Sequence, residues 1–253
     1  MATITQDVKV VAGGFDLSCF LRSCEVSQET DMLDSTALCT SSDRTFKPGL
    51  TERTISGEGY FDYTAADDAR SLDKHFNDQF SPSANNLITI GPNGDDPGQI
   101  AWLFNTKQST FNVNEIIGDL IMTQFEAKAT NDSSEYGFGG NKDTGNAWML
   151  MSEAVTGTIN GNSVDDGAGA TVGYVGHCHV TADNFTSMTV KLQHSTDGLS
   201  WADLATFTVF STVGADQAAN PATSVNRFVR AQISAFTGTS ATVVVAIKTG
   251  FAG

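Results

Sequence analysis

Between residues 31 and 63 the chain reads DMLDSTALCTSSDRTFKPGLTERTISGEGYFDY, a polar arm with few and scattered apolar side chains that runs into an alternating segment. A stretch of that composition cannot bury a face of its own, so whatever holds it lies outside it, and another subunit is one such surface. From Thr51 onward Ile55, Gly57, Gly59, Phe61 and Tyr63 alternate with Thr54, Ser56, Glu58, Tyr60 and Asp62. That is the period-2 pattern of a strand with one face inward. Pro48-Gly49 reads as the turn that delivers the arm into the strand.

The rest of the chain predicts a mainly β protein. Twenty-four glycines and only five prolines among 253 residues, with abundant Thr, Ser and Val, fit many strands joined by turns. In the first half the pattern predicts strands over 4–11, 15–28, 87–90, 100–110 and 116–129. The last two form a closing hairpin through Phe111-Asn112-Val113-Asn114. One helix is predicted over 64–80, with Thr64 as N-cap and Ala65, Ala69, Leu72 and Phe76 on one face. The small, polar, Gly-rich stretch 131–146 is the best linker, and the domains divide near 140 into 1–140 and 141–253. Beyond it, strands over 148–159, 170–181, 187–194, 205–213, 226–235 and 239–249, with a turn at Asp197-Gly198, predict a β-sandwich.

No chemistry stands out. There is no G-x-S-x-G elbow, no H-E-x-x-H pair and no Gly-Lys-Ser/Thr phosphate loop. His177-Cys178-His179 is the most metal-like cluster, with His194 as the nearest further ligand in the sequence pattern. Strand alternation turns the two imidazoles one way and the thiol the other, which favours a core cysteine flanked by solvent-facing histidines. Asp95-Asp96 and Asp165-Asp166 are acidic pairs in loops without the alternating calcium register, and loop aspartates ordinarily serve turns. Cys19, Cys24, Cys39 and Cys178 match no metal-knuckle spacing and are expected as free thiols. The start of the chain lacks a signal-peptide core, and no run of about 18 apolar residues occurs, so neither export by that route nor a membrane span is expected.

The order of features in the first half is a short first strand, a strand around Leu17-Ser18, an Asp/Thr-rich loop, Pro48-Gly49-Leu50, and a Gly-rich strand ending in Phe61-Asp62. This order resembles the major tail tube proteins of long non-contractile-tailed, siphovirus-like bacteriophages. The resemblance implies a tail-tube fold, two packed β-sheets with a flanking helix, here followed by the β-sandwich as an outer, decorating domain. It implies a structural virion protein, not an enzyme, with no cofactor and no bound metal. Copies would form stacked rings, hexameric by the resemblance, that conduct DNA into the host. The implied partners are other copies, a tape measure protein, a tail terminator protein and genome DNA in transit without specific binding, with no membrane. The implied place is the virion tail, assembled in the host cytoplasm.

On this reading Asp31, Asp34, Arg44, Lys47, Pro48 and Leu50 are the candidates for inter-ring contact. Glu58, Asp62, Glu115, Asp119 and Glu126 are the candidates for a channel lining. The net charge of −15 argues against a stable grip on nucleic acid, and residues 1–140 carry most of it, with 21 Asp/Glu against 9 Lys/Arg. A carboxylate-lined channel would repel phosphates and let DNA slide, although acidic surfaces also serve plain solubility. Two other classes stay open. A carbohydrate-binding virion module would act through Trp201 or Asp203 of the second domain, and a capsid-decorating or head–tail adaptor protein would share the acidity without forming tubes.

Overall fold

The computed structural model describes residues 8–36, 44–60, 86–114, 121–130, 147–167, 169–170 and 173–250. Seven strands form the first sheet: β1 (Lys9–Ala12), β2 (Phe15–Asp16), β3 (Leu21–Asp34), β4 (Phe46–Tyr60), β5 (Asn86–Gly91), β6 (Trp102–Asn114) and β7 (Met122–Ala129). Their order is β2-β1-β5-β6-β7-β4-β3, with every neighbour antiparallel. The sheet curls until β3 comes back toward β1. Val10, Leu17, Ile55, Ile88, Ile90, Phe104 and Phe125 meet in one core, and the remaining gap between the ends is a cavity of about 300 Å³ lined from Val8 and Val10 across to Leu21 and Cys24.

The alternation in β4 is realised, with Ile55, Gly57 and Gly59 facing the core. The glycines are there for space. A Cβ on Gly57 would lie 2.3 Å from the Phe125 ring, and one on Gly59 would lie 2.3 Å from the Phe20 carbonyl oxygen, close to where Tyr60 N–H bonds that same oxygen at 3.1 Å.

This arrangement corrects the expected tail-tube fold of two packed β-sheets with a flanking helix. Among the described residues every regular element is a strand, and those between Lys9 and Ala129 belong to one sheet. A sheet curled on itself buries its inner face against itself and needs no second sheet to cover it. The segment 64–80, where the helix was predicted, lies outside the described residues, as does the expected domain boundary near 140. Residues Phe111 to Asn114 were read as a connection; they extend β6 to its pairing with Met122.

The second sheet comprises β8 (Ala147–Val155), β9 (Ile159–Asn160), β10 (Val164–Asp165), β11 (Tyr174–Ser195), β12 (Ala202–Thr206), β13 (Gly214–Asn220) and β14 (Phe228–Thr249). Its frame is the antiparallel pair β11 and β14, each 22 residues long and matched from Tyr174–Thr249 to Ser195–Phe228. One end of this pair is flanked by β13 and β8, the other by β12, β9 and β10. The two ends fold over each other. A Cβ on Gly176 would lie 2.4 Å from a Leu192 methyl, although extended chain would separate the two residues by roughly 50 Å. The corner is made by register shifts between Val180 and Val190. Between the layers lies the larger core, including Cys178, Val180, Met188, Leu192, Phe207, Val229, Ile233 and Val245. The expected separate strands of a sandwich are thus one bent, continuous sheet.

The two sheets share a largely apolar seam. Val11, Ala101 and Leu103 of the first pack on Met149, Val175, Val244 and Ala246 of the second. Backbone bonds cross it at Ala101 N to Ala147 O (3.0 Å), Gly98 N to Met149 O (2.8 Å) and Met149 N to Gln99 O (2.8 Å). At its margin Lys9 Nζ reaches Asp16 (2.7 Å) and Asp95 (3.3 Å), and Ser152 donates to Asp95 at 2.6 Å. Gly14, at φ +92°, approaches Gly214 so closely that a Cβ would sit 2.5 Å from its backbone nitrogen.

Gly59→Ala places a methyl against fixed backbone in the first core. Overpacking of that kind costs about 1–3 kcal/mol, and the thermal midpoint is expected to fall by roughly 3–10 °C in calorimetry. An unchanged midpoint would show that the curled sheet is loose at this end.

Candidate functional site

β3 and β4 outrun their neighbours. β7 stays paired with β4 only as far as Thr54, whereas β3 and β4 continue together to Asp34 and Phe46. The result is a two-stranded ribbon that projects about 25 Å beyond the sheet at strand rise. Its polar cross-strand bonds are Thr30 Oγ1 with Thr51 Oγ1 (3.0 Å), Arg53 Nε to Gln28 Oε1 (3.1 Å) and, at the tip, Ser35 N to Thr45 O (2.8 Å). Thr36 N–H bonds Asp34 at 2.9 Å, and the hydrogen bonds from Thr36 hold the Asp34 carboxyl below its ordinary pKa.

The ribbon carries apolar side chains that its own chain leaves in solvent. Met32 is 61% exposed, Leu33 59%, Phe46 50% and Leu50 82%. Pairing places Met32, Phe46 and Pro48 on one face, the continuation of the Ile55 face. One extra residue in β4, opposite Asp31, turns Leu50 to the other face, beside Leu33, Lys47 and Gly49. Both faces of the ribbon are therefore apolar in part. Few exposed elements of a soluble fold are built that way without a partner.

All six arm candidates fall on this ribbon or at its tip: Asp31 and Asp34 on β3, Lys47, Pro48 and Leu50 on β4, and the exposed Arg44 just before it. Pro48 is not a turn residue. It pairs with Met32, and pairing continues past it to Asp34–Phe46, so the reversal lies nearer the tip than Pro48-Gly49. Pro tolerates this place because, among the described residues, β4 has no strand on its other side there. Sequence reading missed Met32, Leu33 and Phe46, whose signal was their position within a segment otherwise too polar to bury them.

A second surface lies on the outer face of β3, β4, β7 and the far part of β6. Cross-strand rows bring together Glu25, Ser56, Glu126 and Thr110, then Ser23, Glu58, Gln124 and Asn112. Glu25, Glu58 and Glu126 line a shallow groove of about 310 Å³. Ser109 donates to Glu126 at 2.9 Å, and Lys128 pairs with Glu52 further along, which raises the lysine's pKa. Of the channel candidates, Glu58 and Glu126 share this groove, joined by Glu25, which sequence reading did not single out. Asp62, Glu115 and Asp119 lie outside the described residues.

The candidates for other chemistry are committed within the chain. Among the described residues no group of three or more His, Cys, Asp or Glu is placed to hold a metal ion. His177 and His179 do not face solvent; both are buried against the first sheet, while Cys178 points into the larger core, where burial drives its thiol pKa well up. His194 accepts instead from Asn226 N–H at 3.1 Å. Asp165 is held by both arms of the Arg227 guanidinium (2.7 and 2.5 Å), which lowers its pKa to about 2, and Asp166 accepts from Trp148 and Thr249 at 2.6 Å. Trp201 lies under the Arg230 guanidinium at 4.1 Å, and Asp203 accepts from Lys191 (2.5 Å) and Gln193 (2.8 Å).

No protein-family model and no curated protein sequence matches the chain. Solved structures that it resembles include a chain from the virion of a native gene transfer agent particle, at 15% identity and a TM-score of 0.39, covering 51% of this chain and 95% of that one. The SPP1 tail tube overlaps at 11% identity and 0.39, covering 51% and 76%. The SPP1 Dit protein, described as a paradigm of hub adsorption apparatus in phages infecting Gram-positive hosts, overlaps at 10% and 0.35, covering 97% and 100%.

Because the ribbon's apolar side chains are unburied in the single chain, replacing them leaves its stability alone. Phe46→Ser and Leu50→Ser are each expected to move the midpoint of dilute protein by no more than about 2 °C. Ile55→Ala, in the core of the same strand, is expected to cost about 2–5 kcal/mol. Equal losses at all three positions in parallel thermal scans would mean that the ribbon is covered.

Proposed function

We propose that the chain is a structural subunit of a siphovirus-like phage tail, assembling into the tube that conducts DNA. The observation that carries this reading is the projecting ribbon with apolar side chains on both faces. Its role is to join rings, with Asp31, Asp34, Arg44, Lys47, Pro48 and Leu50 at the contact, together with Met32, Leu33 and Phe46. Fully burying side chains of this size is worth about 1.5–3 kcal/mol each, enough to drive association when repeated around a ring.

Within a ring, hexameric as the family resemblance implies, copies join through the first sheet. β3 pairs only with β4 among the described strands, and the short β2 ends the other side of the sheet, so backbone edges are available for pairing between subunits. The open acidic face faces the channel, with Glu58 and Glu126 and, on segments outside the described residues, Asp62, Glu115 and Asp119. DNA passes without specific binding because carboxylates repel its phosphates. The two-domain division near 140 makes the second sheet an outer layer. Other copies, a tape measure protein and a tail terminator protein are the partners, in a virion tail assembled in the host cytoplasm.

Negative-stain electron microscopy over a concentration series tests the reading. Wild-type protein is expected to give rings and hollow tubes, and Leu50→Glu rings that do not stack. Dispersed monomers at every concentration would count against a self-assembling subunit. For the channel, Glu25→Lys/Glu58→Lys/Glu126→Lys protein is expected to retain double-stranded DNA in gel shifts at low salt and release it at high salt, whereas wild type does not shift it. Equal behaviour of the two proteins would remove the acidic face from the argument.

A further inference from the structure

The seam between the two sheets contains one polar device. Thr89, on β5, places its hydroxyl 3.1 Å from His177 Nδ1 and 2.9 Å from His179 Nε2, with all three side chains buried. The two rings stand edge to face, their centroids 6.0 Å apart. A threonine hydroxyl has one proton, so it donates to one ring and accepts from the other. Gln217 sets the direction. Its side chain accepts from His177, which leaves His177 Nδ1 as the acceptor of the Thr89 proton, and His179 Nε2–H then donates to Thr89. The step from Thr89 to His177 requires a neutral imidazole there, because Nδ1 must keep its lone pair to accept.

A proton on His177 Nδ1 removes the acceptor of the Thr89 hydroxyl and puts a charge in the seam. The surroundings do not compensate. β5 contributes Thr89; β13 contributes Gln217 between Ala215 and Ala219; β14 contributes Val244 and Ala246; β1 and β6 contribute Val11 and Leu103. Of the charged groups nearby, Lys9 on β1 is bound to Asp16 and Asp95, and Asp216 on β13 acts on Cys178, on the opposite face of β11; Lys248 is buried two residues past Ala246 on the same face of β14 and carries the same sign of charge as an imidazolium.

We propose that the His179–Thr89–His177–Gln217 chain is an acid-sensitive latch, whose protonation at His177 separates the two sheets while leaving the core of each intact. Among the described residues the seam is the smallest of the three buried clusters, with seven buried apolar residues against nine in the core of the first sheet and twenty-one in that of the second. Burial holds His177 down to about 3, against 6.5 for an imidazole in water. The sign follows. The closed form binds fewer protons than the opened one, so the latch is fully stable above about pH 6.5 and loses stability as pH falls from there toward 3.

The test is hydrogen-exchange mass spectrometry on the full chain in steps from pH 7.5 to 3.5, corrected for intrinsic exchange rates, with small-angle scattering in parallel. The expected result is a reversible loss of protection at the amides that bond across the seam, Gly98, Ala101 and Met149, with a larger radius of gyration, while the ladder amides of β5 and of residues 174–180, 188–194 and 229–233 stay protected. His177→Gln, which keeps a neutral hydrogen-bonding side chain, is expected to abolish the pH dependence. Simultaneous loss of protection everywhere, or the same pH dependence in His177→Gln, overturns the proposal. Should that variant not fold, the His177 ring resonances of wild type decide instead: titration near 6.5 without opening overturns it, and no protonation until the sheets part supports it.

Discussion

The antiparallel match of β11 with β14 is the constraint from which the other contacts follow. Twenty-two residues of each strand stay paired through a corner, so one ribbon supplies both layers of the second sheet. Strand alternation then assigns the faces of β11. Cys178 and Val180 turn into the larger core, and Val175, His177 and His179 turn toward the first sheet. A neutral, largely apolar surface is thereby offered to the first sheet, and the first sheet answers with strands buried on both sides. β5 is buried at all six positions, whereas β4 and β7 alternate. The outer face of one curled sheet is thus divided, half covered by the second sheet and half open and acidic.

What was legible in the sequence is what depends on near neighbours. The alternation from Thr54 to Tyr60, the two-residue spacing that puts both imidazoles on one side of Cys178, and the Asp197-Gly198 bend, where Asp197 accepts from Leu199 and Ser200, are set by local geometry. What failed depended on distant partners. The corner in β11 and β14 breaks the alternation without breaking the pairing, so each long strand reads as two. Pro48-Gly49 carries the local marks of a turn, but the Met32 pairing overrides them. The histidines share a face as expected, yet nothing local says that this face is covered, because the cover is Thr89, some ninety residues earlier in the chain. The exposure of Met32, Leu33 and Phe46 was hidden for the same reason, since it follows from where β7 ends.

A two-stranded ribbon is marginal in water on its own. Here it persists because its strands continue into the sheet, where Ile55 is fully buried, and because its cross-strand contacts are mostly polar pairs that tolerate solvent. The apolar side chains add little to the stability of the single chain and remain available to a partner. Folding and association are in this way assigned to different residues of the same two strands.

The same separation holds for charge. The exposed acidic face is built from side chains that make few bonds to the rest of the chain, with Glu58 meeting only Gln124, at 3.4 Å, among the hydrogen bonds between described side chains. In the proposed ring these faces converge, and their mutual repulsion opposes assembly, within reach of about 8 Å at physiological salt. Something must exceed that repulsion. Beyond Tyr60 and Met122 at its end, the acidic face offers no apolar side chain among the described residues to do so, and the ribbon, at the opposite end of β4 from Glu58, supplies it. Distance along the strand therefore lets one element keep a charged surface exposed and still be held in place by burial elsewhere.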